Sequence, residues 1–233
     1  MSDAIVFEGV RKTYGRTVAV DRVDFTVAHG TFVGLLGHNG AGKSTCLKML
    51  MGLVDPTEGR IRIDGIDVSA DPKEARRRFG AVPEETAVYE WLTATEFFEF
   101  VAGVRGEGDV ARALEVADLG VDADRPIREY SQGMRRRTAL GAALLAAPKV
   151  LVLDEALNGL DPPSAARIKK ILRDHVDGGG TVLLSTHVVE TVEKVADRVI
   201  LLANGRVVSD ERTDALGPEG IERLFAERLD RPR

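Results

Sequence analysis

Cysteine is nearly missing from this chain: Cys46 is the one thiol, so no disulfide within the chain can brace the fold. Long apolar runs are missing too. No stretch approaches the roughly 18 consecutive apolar residues of a membrane-spanning helix, so the chain is not expected to cross a bilayer by itself. The opening MSDAIVFEGVRKTYG lacks the basic head and apolar run of a secretory signal, which points to the cytoplasm. Positive charge is also in deficit. A net charge of -5 excludes general attraction to nucleic acid or anionic lipid and confines any such binding to a local patch. The tight basic run Arg135, Arg136 and Arg137 reads as a solvated helix face or a set of ion-pair partners, as does the looser Arg76 to Arg78. His29, His38 and His175 have no metal-ligand spacing, and no internal repeat, linker or low-complexity stretch interrupts the chain.

What is present is a globular composition, 44% apolar and 30% charged over 233 residues, enough to bury a sizeable core. Short apolar runs at Ile5 to Phe7, Val18 to Val20, Val23 to Val27 and Phe32 to Leu36 predict short strands. Helical spacing follows from Cys46 to Leu53, and Asp64-Gly65 between alternating apolar residues predicts a hairpin. From Pro72 to about Leu119 the apolar positions recur at three and four, predicting a largely helical stretch with a loop at Gly103 to Asp109. A further helix runs from Gln132 to Ala146, where Pro148 ends it. Beyond it strands and helices alternate: Val150 to Leu153, Ser164 to Val176, Thr181 to Leu184, Val188 to Val195, Val199 to Leu202. Asn204-Gly205 then turns the chain into Val207-Val208. Fully apolar strands separated by helices imply a parallel sheet covered on both faces, hence an α/β fold.

Two segments carry phosphate chemistry. GHNGAGKST, from Gly37 to Thr45, lies between a predicted strand and a predicted helix, the context the phosphate-loop pattern needs. Its glycines at 37, 40 and 42 let main-chain amides turn toward phosphate oxygens, the helix N-terminus adds positive potential, and Lys43 adds a mobile charge. Ser44 is placed to hold Mg2+ through its hydroxyl. KVLVLDE, from Lys149 to Glu155, is a buried strand ending in two carboxylates at the sheet edge where α/β proteins bind ligands. Asp154 is expected to hold the metal, and Glu155 to polarise the attacking water as general base.

With three further motifs in order, the chain resembles the ABC ATPase family over nearly its whole length. YSQGM (Tyr130 to Met134) looks like the family's signature sequence, NGLDP (Asn158 to Pro162) like its D-loop, and STH (Ser185 to His187) like its switch histidine. The resemblance implies a phosphate-loop core with a parallel sheet flanked by helices, an antiparallel β subdomain, and a helical signature subdomain at about residues 85–145. Core and antiparallel β together take about 1–80 and 146–210, and a short tail takes 210–233, all as one ATPase domain. It implies ATP as substrate with Mg2+, bound by Tyr14 (stacking on adenine), Gly37, His38, Asn39, Gly40, Ala41, Gly42, Lys43, Ser44 and Thr45. Glu155, His187 and Lys43 are the expected catalytic residues, His187 contacting the γ-phosphate; Ser44, Glu84 and Asp154 are the expected metal ligands. Ser131, Gln132, Gly133 and Asp161 are expected to meet the nucleotide held by a second copy. Such a site is completed only in a head-to-tail dimer, a homodimer or a heterodimer with a second ABC ATPase. Taken alone, Ser131 and Asp161 also fit ordinary helix caps, with Pro162 and Pro163 suiting a first helical turn.

Two positions depart from the family's usual pattern. Glu84, in AVPEE, stands where a glutamine is common and adds negative charge near the triphosphate; Gln132 replaces a glycine, as in drug and polysaccharide exporters. Together with the short tail these lean toward an ATPase that powers export through a separate transmembrane permease, on the inner face of the membrane. No nucleic-acid partner is expected. Tyr89, Trp91 and Leu92 lie where the family receives the permease, although Trp91 fits the core equally well. Cys46 reads as a small buried hydrophobe. The rival readings are a superfamily ATPase acting on ribosomes or DNA and a phosphate-loop kinase. The first usually brings tandem domains or a coiled coil, and the second has no use for YSQGM and NGLDP together.

Overall fold

A computed structural model describes residues 3–85, 88–217 and 219–229; the expected tail thus ends, at 230–233, outside the described residues. Two antiparallel strands open the chain, β1 (Asp3–Tyr14) and β2 (Thr17–Ala28). They pair with β4 (Glu58–Ile63) and β5 (Ile66–Asp67) in the order β2-β1-β4-β5. Each of the first two is 12 residues long, where the sequence predicts fragments. The reason is irregular register. Shifts between Phe7 and Val10 and again up to Lys12 break the two-residue alternation without ending the pairing. Asp24 accepts a hydrogen bond from Gly9 N at 2.6 Å across that irregularity.

The second sheet has the order β10-β9-β3-β8-β7-β6. Its strands are β3 (Phe32–Leu36), β6 (Phe79–Val82), β7 (Val150–Asp154), β8 (Thr181–Thr186), β9 (Arg198–Ala203) and β10 (Arg206–Arg212). All neighbours run parallel except β9 and β10, joined at Asn204-Gly205. Alternate residues of each parallel strand enter different cores. Val33, Leu35, Val152, Leu183 and Ile200 face the antiparallel sheet and α1 (Lys43–Leu50). Phe32, Leu36, Leu153, Leu184 and Leu201 face α5 (Gln132–Leu144) and α6 (Pro162–Asp177). Fully burying one such side chain contributes about 1.5–3 kcal/mol, so a strand apolar on both faces is fixed in the middle layer.

A third cluster, with Phe97, Phe98, Ala113, Ile127 and Leu145, unites α3 (Ala94–Arg105), α4 (Val110–Ala117) and the end of α5. The predicted helical stretch from Pro72 is divided more finely than its periodicity suggests. α2 (Pro72–Arg77) stops at once, and β6 intervenes, pairing with Val150 to Leu153. Helix α3 runs through Gly103 and ends on Gly106, shortening the expected loop. The helix predicted over Val188 to Val195 contracts to α7 (Val189–Val192). Helices α8 (Thr213–Leu216) and α9 (Gly220–Leu229) follow the sheet. Cys46 is fully buried, as expected, whereas Trp91 is 77% exposed and not core. Among the described residues no helix is long and apolar enough to cross a membrane.

Candidate phosphate and carboxylate site

The carboxyl ends of β3, β7 and β8 lie side by side and bring the glycine loop, the paired carboxylates and His187 together. The loop leaves β3 at Gly37 and enters α1 at Lys43. Two glycines are needed by close approach: a β-carbon at Gly37 would lie 2.4 Å from Leu202 O, and one at Gly42 (φ +105°) 2.6 Å from Ala19 O. Lys43 is buried at 5% exposure and curls back over its own loop. Its Nζ donates to Gly37 O (2.7 Å) and His38 O (3.3 Å) and lies 3.6 Å from Glu155 Oε1.

Ser44 occupies the junction of two carboxylates. Its hydroxyl lies 3.2 Å from Asp154 Oδ1 and 3.3 Å from Glu84 Oε2, so Glu84 does converge with the other two expected metal ligands. One hydroxyl and two carboxylates form a hard oxygen donor set of the kind Mg2+ takes, with open positions left for water and phosphate. Asp154 is 1% exposed, and Ser185 Oγ donates to its Oδ1. Burial holds the Asp154 carboxyl above its ordinary range; the Ser185 and Ser44 hydroxyls pull it down, and the charges of Glu84 and Glu155 push it up again. A cation binding there would relieve that burden.

Glu155 sits just past the strand with φ +49°, a left-handed conformation rare for a residue with a β-carbon. Its side chain is held from three sides: His187 Nδ1 at 3.0 Å and Lys43 Nζ on Oε1, Asn158 Nδ2 at 2.8 Å on Oε2. Its main chain is held as well, Glu155 N donating to Ser185 O at 3.1 Å and Glu155 O accepting from Asn158 N and from Arg136 Nη1. His187 remains partly open, its side chain 42% exposed, beside a cleft of about 350 Å³ shared with Glu222 and Phe225 of α9. The Phe225 ring also meets the His38 imidazole edge-on, with centroids 4.9 Å apart. A carboxylate bonded to an imidazole and next to a buried ammonium can take a proton from water beside a phosphate loop.

The remaining expected residues lie elsewhere. Tyr14 ends β1, half exposed, with Lys12 Nζ 5.1 Å from its ring centroid. Ser131 caps α5, accepting from Met134 N at 3.2 Å, and Asp161 caps α6, accepting from Ser164 N at 3.1 Å. The Ser164 hydroxyl and amide hold the Asp161 carboxyl below its ordinary range. Ser131 and Gln132 are exposed, and Gln132 and Gly133 stand over the Gly159-Leu160 turn.

Sequence reasoning missed three supports of the site. Ser185 and Asn158 lay in motifs already singled out, but nothing in their spacing said that their side chains turn onto Asp154 and Glu155. Arg136 sat in a triplet expected to face solvent or pair with acids. Arg135 does pair, with Glu90 at 2.6 Å, whereas Arg136 reaches inward to Glu155 O at 2.5 Å.

Fold and site define a phosphate-loop nucleotide hydrolase. The family model described as ABC transporter matches residues 20–158. A daunorubicin resistance ATP-binding protein, DrrA2, from Streptomyces coeruleorubidus is 40% identical over 99% of this chain and 74% of its own length. The Nod factor export ATP-binding protein I of Sinorhizobium fredii is 38% identical over 94% of this chain and 65% of its own length. Among solved structures, a dimeric post-hydrolysis ATP-binding cassette bound to ADP and Pi superposes with a TM-score of 0.83 at 27% identity. It covers 90% of this chain and 98% of that one. The chain belongs to the ABC transporter family, as an ATP-binding and ATP-hydrolysing subunit.

Proposed function

We propose that this subunit powers export through a separate transmembrane permease by closing and reopening a dimer around two ATP molecules. The convergence of Lys43, Glu155 and His187 beside the glycine loop, next to that of Ser44, Asp154 and Glu84, carries the reading. Gly37 to Thr45 cradle the phosphates, and Lys43 exchanges its own loop carbonyls for phosphate oxygens. Tyr14 packs on the base. Ser44, Asp154 and Glu84 hold Mg2+, which when bound neutralises charge on the phosphate oxygens. Glu155 takes the proton of the water whose oxygen attacks the γ-phosphorus, as the bond from that phosphorus to the ADP oxygen breaks. His187 holds Glu155 and faces the γ-phosphate.

Ser131, Gln132, Gly133 and Asp161 serve the nucleotide of a second copy, from the exposed N-termini of α5 and α6. That the solved cassette above is dimeric supports this, and the names of the two relatives, one for drug resistance and one for export, support the direction. The work is done at the inner face of the membrane, where the permease is held.

Two substitutions test the roles. Lys43→Ala weakens ATP binding. Glu155→Gln keeps binding, stops turnover and traps a dimer with Mg-ATP. Purified from native membranes in that trapped state, the dimer should bring a polytopic membrane protein with it. A Glu155→Gln variant that hydrolyses ATP at the parent rate refutes the assignment of the base, and ribosomes or chromatin as the co-purifying partner refute transport.

A further inference from the structure

We propose that Arg136 is a positioning residue that couples the exposed N-terminus of α5 to the peptide carrying Glu155, so that hydrolysis waits on what α5 touches. The inference rests on the reading of Glu155 as the base. Arg136 lies on the same rigid helix as Ser131, about 7.5 Å further along its axis at 1.5 Å per residue. Its half-buried side chain crosses from the helical layer to the sheet edge and donates through Nη1 to Glu155 O at 2.5 Å. Among the described residues its Nε is buried with no hydrogen-bond partner, and the Glu155 carbonyl anchors the guanidinium through Nη1.

The acceptor is not an ordinary carbonyl. Glu155 is in the left-handed region, which a residue with a β-carbon keeps only where its surroundings hold it there. The same oxygen accepts Asn158 N at 3.1 Å, and Asn158 Nδ2 bonds the carboxylate of the same residue. Arg136 therefore braces the turn that aims Glu155 at Lys43 and His187. A shift of α5 when Ser131 meets a second copy's nucleotide moves this brace, and a small misplacement of a reacting group is enough to slow chemistry strongly. Each site thus fires only when the α5 end of its own chain is engaged across the dimer.

The test measures kcat, nucleotide Kd with a fluorescent ATP analogue, and Tm for Arg136→Ala, Arg136→Gln and Arg136→Lys in the full chain. A misplacement of about 1 Å at a reacting group costs about 100-fold in rate. Arg136→Ala and Arg136→Gln should lose kcat on that scale while Kd stays within about twofold. Arg136→Lys, which keeps one cationic donor, should recover most of the loss. In single-turnover reactions, Arg136→Ala should slow the Glu155→Gln protein no further, because the base it positions is already gone. An unchanged kcat, a rate loss matched by weakened binding and lowered Tm, or an equal loss on the Glu155→Gln background overturns the proposal. Should Arg136→Ala fail to fold, Arg136→Lys decides: a rate as low as that of Arg136→Gln with normal Kd also overturns it. If Glu155→Gln itself turns over normally, it is the assignment of the base that fails, a result distinct from every Arg136 outcome.

Discussion

Replacing Ser185 with alanine removes one hydroxyl from the fully buried end of β8 and leaves Asp154, 1% exposed, with one donor fewer. Ser44 remains, 3.2 Å away on the same Oδ1. A buried hydrogen bond to an ionised acceptor is worth about 1.5–3 kcal/mol, and a neutral one about 0.5–1.5 kcal/mol. For a chain of this size each kcal/mol moves Tm by about 2–4 °C, so a loss near 2 kcal/mol lowers Tm by about 4–8 °C. The pH dependence has a definite sign. Burial already holds the Asp154 carboxyl above its ordinary value, and Ser185 is one of two hydroxyls that pull it back. Without Ser185 the folded-state value rises further. A carboxyl raised in the folded state contributes stability below its unfolded pKa and loses it as pH climbs through the folded one. The deficit of Ser185→Ala relative to the parent should therefore be small at acidic pH, where Asp154 is protonated in both, and grow toward alkaline pH. Thermal unfolding by circular dichroism, nucleotide-free and with chelator present, reads this directly. A deficit that is constant with pH, or that shrinks as pH rises, refutes the account of Asp154.

Three other perturbations have expected outcomes. Gly80→Ala places a β-carbon 2.0 Å from Ala143 O, forcing α5 off β6; overpacking of this kind costs about 1–3 kcal/mol, and calorimetry showing parent stability would refute the close approach. Cys46, buried and with its thiol pushed up to about 12 by burial and then by the Asp154 charge, should resist alkylation at neutral pH until the protein unfolds. Rapid labelling of the native protein counts against that burial. ATP at about 100 times its Kd should stabilise the parent by about 2.7 kcal/mol, raising Tm by about 5–11 °C. Lys43→Ala should show little of this rise at the same concentration, and an undiminished rise would remove Lys43 from the binding site.

Much of the fold was legible because its signals are local. Asp64-Gly65 and Asn204-Gly205 each supply two left-handed positions in a row, and both turn hairpins. The runs at Phe32, Val150, Thr181 and Val199 are apolar on both faces and all became inner strands. What escaped depends on partners far away in sequence. β6 is four residues, and only its pairing with β7 and the room Gly80 leaves for Ala143 make it a strand. Trp91 carries no local mark of inside or outside; Arg128 lying 4.5 Å from its ring centroid goes with its exposed position. In the site, the loop and carboxylates were visible because phosphate chemistry constrains adjacent residues. The arginine that holds Glu155 from 19 positions upstream was not, because a triplet of arginines looks the same whichever one turns inward.

The strand order has a further consequence, for how the chain is made. Among the described residues β3 pairs only with β8 and β9, so the strand that launches the glycine loop has no sheet neighbour until about 150 more residues have left the ribosome. The antiparallel sheet, by contrast, is complete by Asp67. A nascent chain should therefore hold a folded hairpin layer beside an unpaired, wholly apolar β3, a strand open to wrong pairing with other chains. Closure of the central sheet and assembly of the nucleotide site become one late event, and a nucleotide that binds only the closed form would favour its completion.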